Sequence, residues 1–102
     1  MRIAHALPIG LLVALAVSSA AFAADPSCRE AVEPERSATY VAQCLAVSPA
    51  THPPCNAANP CGLITDEIRR GCAILRESLR QRPARAAQGI AEPDFCKSWL
   101  PE

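Results

Sequence analysis

His52-x2-Cys55-x5-Cys61-x10-Cys72 brings one imidazole and three thiols into a span of 21 residues. Three chemistries are open to such a set. Imidazole and thiolate ligate zinc or copper, a thiol at a helix start can be acidic enough for redox exchange, and oxidised cysteines staple a small fold. Zinc sites favour C-x2-4-C and H-x3-5-H spacings, whereas the tight pair here is His52-x2-Cys55, with Cys61 and then Cys72 or Cys96 left to complete a ligand set. Copper handling would be expected to add Met or His clusters, and the lone Met is the first residue. Thiol–disulfide enzymes use C-x-x-C and haem attachment uses C-x-x-C-H; neither occurs, although Cys61 stands at an expected helix start. A hydrolase needs a nucleophile, a base and an orienter. His52 is the one histidine beyond the first 23 residues, no G-x-S-x-G is present, and the neighbours Asp66 and Glu67 would point about 100° apart on a helix. The residues therefore assign no catalytic group and no cofactor. They favour the staple, with Cys28, Cys44, Cys55, Cys61, Cys72 and Cys96 as three disulfides in a short exported chain.

Export is expected from the first residues. Arg2 precedes an apolar run from Leu7 to Val17, and Ala21-Phe22-Ala23 fits a cleavage site. About 11 residues are too few to span a bilayer, which takes about 20. Residues 1–23 are thus read as a secretory signal and 24–102 as a single mature domain, periplasmic or secreted, with no membrane span. The mature part carries nine basic and ten acidic side chains, so its net charge near −1 gives nucleic acid no attraction. Leu, Ile, Val and Phe make up 13 of its 79 residues, a fraction below the roughly 20% at which disorder becomes a serious prospect. A domain of this size needs covalent help.

The expected fold is all-α: a small disulfide-stapled helical domain, an antiparallel helical hairpin with short terminal turns. Asn59 and Pro60 suit an N-cap and a first helical position, and Cys61, Ile64, Ile68, Cys72, Leu75 and Leu79 then recur at helical steps. Pro83 ends this helix near residue 81, Asp66 stands four before Arg70 as a stabilising pair, and Gly62 and Gly71 weaken the helix. A second helix is expected over about 35–47, where Tyr40, Val41, Cys44 and Leu45 share a face behind Pro34. Short turns are expected from Asp25 to Val32 and from Asp94. The stretches 48–60 and 82–93 read as linkers.

Helix geometry restricts the bridges. Cys61 and Cys72 lie about 16 Å apart along one helix, beyond the roughly 7 Å a disulfide spans, so they do not pair with each other. An antiparallel hairpin leads to Cys44–Cys61, Cys28–Cys72 and Cys55–Cys96, with Cys55–Cys61 the main rival contact. The spacings Cys44-x10-Cys55 and Cys61-x10-Cys72 resemble, in outline, the twin-cysteine hairpins of the mitochondrial intermembrane space. Prolines interrupt the first pair and the x9 and x3 spacings are absent, so that family's function is not carried over.

Residues 69–85 hold six arginines against Glu77 alone, a local +5. Arg69, Arg76 and Arg80 recur at steps of seven and four, a stripe expected opposite the cysteine face. A solvated helix face explains much of such a run. Arg is also enriched at interface hot spots. The functional expectation is therefore a binding or interaction protein, such as an inhibitor or immunity-type module. Arg69, Arg76, Arg80 and the loop around His52 would meet an acidic surface on another envelope or extracellular macromolecule. The alternative is a periplasmic metal or thiol-redox carrier using His52 and the loop cysteines.

Overall fold

A computed structural model describes residues 10, 25–50 and 54–101. The expected signal, residues 1–23, lies outside these apart from Gly10, and so does His52. The described residues are all-helical, without strands, and three disulfides close among them. Five helices follow in order: α1 Cys28–Ala31, α2 Pro34–Val47, α3 Cys61–Gln81, α4 Ala84–Ala87 and α5 Cys96–Trp99.

Each boundary has a local cause. Ser27 caps α1 by accepting the N–H of Glu30 on its side chain. Pro34 opens α2 with its preset φ, and Ser48, extended, closes it before Pro49. Pro60 is the N-cap of α3 at φ −57° and ψ 144°, so the helix starts at Cys61, one residue later than the sequence reading. Asn59 instead turns its carbonyl to the N–H of Cys28 at 2.7 Å, and Ala57 does the same for Arg29 at 3.0 Å. These two bonds lash α1 to the loop that leads into α3.

The expected linker after residue 82 contains a helical turn, α4. Its end is a Schellman closure, with Ile90 N–H bonded to Arg85 O and Gly89 N–H to Ala86 O. Gly89 takes φ 82°, which a residue without Cβ adopts at no steric cost.

The core is small. Its fully buried members are Ile64, Ile68 and the half-cystines Cys28, Cys44, Cys72 and Cys96, ringed by Val32, Tyr40, Val41, Val47, Phe95, Trp99 and Leu100. Leu75 and Leu79, expected to extend the α3 stripe, stay half-buried and outside this cluster. The buried positions of α3 stop at Cys72.

All three expected pairings are replaced. The bridges are Cys28–Cys61, Cys44–Cys55 and Cys72–Cys96, and the rival Cys55–Cys61 contact is not among them. The register of α2 on α3 is the reason. The end of α2 meets α3 at Gly71, where the carbonyl of Val47 is so close that a Cβ would lie 2.5 Å from its oxygen. Cys44 is bridged to Cys55 of the folded-back loop and not to Cys61 at the start of α3. The start of α3 is left to α1, and Cys72 to α5.

Candidate functional site

Among the described residues the buried carboxylate is Glu67, one turn before Gly71. The Ser48 hydroxyl donates to its Oε1 at 2.7 Å, and Arg70 closes a fork through Nε and Nη2, both at 2.9 Å. The ion pairs of this helix therefore run from i to i+3, Asp66 with Arg69 and Glu67 with Arg70, instead of the expected Asp66–Arg70. Ser48 immediately follows α2, so this cluster locks the α2–α3 crossing. The Arg70 fork is the main influence holding the Glu67 carboxyl below its ordinary value of 4.5; burial opposes it, and the Ser48 bond and the Arg70 charge assist.

A depressed folded pKa means that the unfolded chain binds the proton more readily. The stabilisation is thus full above about pH 4.5 and is lost as pH falls through the lower folded value. Glu67→Gln is expected to lower the melting temperature at pH 7 and to flatten its fall towards pH 3. An acid slope identical in the variant would place the acid sensitivity elsewhere.

Two of the three arginines proposed for docking are held within the fold. Arg76 Nε donates to Glu92 at 2.7 Å and Arg76 Nη1 to the carbonyl of Pro101 at 3.3 Å, a clasp with the C-terminal segment. The Arg69 guanidinium lies 5.2 Å from the centre of the Trp99 ring and pairs with Asp66 at 3.1 Å. Trp99 in turn packs edge-on against Tyr40 and donates its Nε1–H to Gln43 at 2.8 Å.

The stripe is therefore not opposite the cysteine face. Cys72 stands three after Arg69 and four before Arg76, so the three share one side of α3. The α5 turn and the tail lie along that side, where Arg76 is half-buried and Arg69 stays exposed. Arg80 remains well exposed, paired loosely with Glu77 at 3.4 Å.

A different basic surface emerges further along. Where α3 passes into α4, an open groove of about 540 Å³ is lined by Ala73, Ile74, Glu77, Arg82 and Arg85, with Ser78 and Gln81 between them. Among the described residues Arg82 and Arg85 make no ion pair. Both belong to the expected +5 run, but only the α4 turn brings them into one groove with Ile74. The signal available in sequence was Pro83 followed by Ala-Arg-Ala-Ala and Gly89, a short helix with its stop. Cys55 and Cys61, the sulfurs of the metal alternative, are bonded to Cys44 and Cys28. Compared with family models, with curated proteins and with solved structures, the chain matches none.

Proposed function

We propose that this is an exported binding module whose disulfide frame holds out the second half of α3, with α4, as a basic surface for another macromolecule. The observation that supports the reading is the division of α3 at Cys72. The turns up to Cys72 supply the buried residues of the helix, whereas Ala73–Gln81 and all of α4 contain none. A chain poor in apolar residues thus keeps more than two turns of helix outside its core and concentrates arginine there. Core stability gives no reason for that arrangement, because helical stability comes mainly from a buried face. Recognition of an acidic surface does.

Export rests on the expected signal, and three disulfides are consistent with an oxidising compartment. No helix among the described residues is long and apolar enough to cross a membrane. An inhibitor or immunity-type module acting on an envelope protein is the concrete form of the reading. A metal or thiol-redox carrier ranks second, since it would first have to reopen the Cys28–Cys61 or Cys44–Cys55 bridge.

Native mass spectrometry of protein taken from its own exported fraction at low salt tests this. The expected species is the cleaved chain, six hydrogens lighter than its reduced form, bound to a second macromolecule that salt releases. A chain found alone would overturn the binding reading. A native mass that carries a metal ion, lost on denaturation, would establish the alternative.

A further inference from the structure

We infer that the groove between α3 and α4 is the docking site itself, and that its occupant is an acidic peptide segment of the partner carrying one large apolar side chain among its carboxylates. This deepens the binding-module reading and rests on it. The floor is apolar: Ile74 is 47% exposed there, beside Ala73. The far wall is cationic, with Arg82 and Arg85.

The groove's own carboxylate pairs with neither of these arginines. Glu77 is already engaged, accepting from Arg80 at 3.4 Å and from Gln81 at 3.0 Å. Two guanidinium groups are thus left to an outside anion. Each offers a planar fork that matches a carboxylate. A small inorganic anion would satisfy them without using Ile74, and a nucleic-acid phosphate backbone likewise offers anions but no aliphatic side chain for that floor. A peptide with an apolar residue flanked by Asp or Glu satisfies both the floor and the wall. The backbone beneath Arg85 is also preset. The Arg85 carbonyl accepts from Gln88 and Ile90 in the Schellman closure, so its backbone is fixed before anything binds, which lowers the ordering cost of association.

The test uses the ¹⁵N-labelled, oxidised protein and a capped probe peptide of one leucine with two glutamates on each side. Amide shifts are expected over residues 73–90, and they should vanish when lysines replace the glutamates. Arg82→Glu combined with Arg85→Glu is expected to weaken the probe about tenfold, the scale of two exposed charge contacts reversed, with the far-ultraviolet circular dichroism unchanged. Ile74→Ser should remove the advantage of the leucine probe over glutamate alone.

Equal shifts with tetraglutamate would reduce the groove to a counter-ion site and overturn the proposal. Shifts centred elsewhere would also overturn it. Shifts on concentrating the protein without probe would make the occupant a second copy. A natural partner that still binds the double Arg variant would sink the groove and leave the binding module standing, whereas the absence of any partner in the native mass experiment would sink the module.

Discussion

Reducing the three disulfides is expected to abolish the cooperative thermal transition and most of the helical signal. The bridges span sequence separations of 33, 11 and 24 residues. In the chain-entropy picture, closing loops of those lengths restricts the unfolded chain by about 3.7, 2.8 and 3.5 kcal/mol respectively. Their sum, about 10 kcal/mol, is as large as the whole net stability of a typical domain, about 5–15 kcal/mol. The loop closed by Cys44–Cys55 lies inside that of Cys28–Cys61, so the contributions do not add strictly.

The noncovalent remainder is thin. Among the described residues Ile64 and Ile68 are the fully buried side chains apart from half-cystines, and each contributes about 1.5–3 kcal/mol. Circular dichroism melts with and without a phosphine reductant check the prediction, and paired Cys→Ala variants rank the bridges. Loss of Cys28–Cys61 should cost most, because it closes the longest loop and holds α1 against the entry to α3. Loss of Cys44–Cys55 should cost least. A reduced protein that retained its melting temperature would show that the small core suffices alone, and the staple argument would fail.

The same economy explains which parts of the fold were legible in sequence. The two long helices were, because their signals are local: Pro34 and Pro60 at the starts, apolar residues at helical steps, and Pro49 and Pro83 beyond the ends. The six half-cystines were legible from count and compartment. Their partners were not, because pairing depends on register, and register depends on a contact between residues 24 apart in sequence, Val47 and Gly71.

An antiparallel hairpin meeting at the loop end would have brought Cys44 to Cys61. The observed crossing carries the end of α2 ten residues further along α3. The setting of the arginine stripe has a simpler cause. Arg69 and Arg76 flank Cys72 at helical spacing, so the segment bridged to Cys72 comes to lie beside them. What they contact there is the α5 turn and the C-terminal segment, through Trp99, Glu92 and Pro101, and Arg69 stays about half exposed. Arg82 and Arg85 were counted in the basic run, but a four-residue helix carries no periodicity by which its face can be read.

The crossing itself can be tested through two glycines of α3, which are expected to respond in opposite directions. Gly62 is exposed, with nothing within 4 Å of an added Cβ. Gly62→Ala should therefore stabilise, by up to about 0.5–1 kcal/mol, as the unfolded chain loses freedom. Gly71 is buried, and its Cβ would lie 2.5 Å from the Val47 oxygen and 2.8 Å from both the Val47 carbonyl carbon and Cγ2.

The neighbours cannot yield cheaply. Two of the three atoms are backbone at the end of α2, the next residue is Ser48, tied to Glu67, and Cys44 one turn back is tied to Cys55. Moving Val47 aside would strain both ties. Gly71→Ala is thus expected to lose about 2–3 kcal/mol to overpacking despite its better helix propensity. In a domain of this size that lowers the melting temperature by roughly 10–20 °C. It should also weaken the Glu67 lock, so the variant's melting temperature should fall less steeply with acid than that of the parent. If Gly71→Ala instead matched the gain of Gly62→Ala, α2 would not cross α3 there. The loop would then have no reason to double back, and the Cys44–Cys55 pairing that follows from the crossing would need another cause.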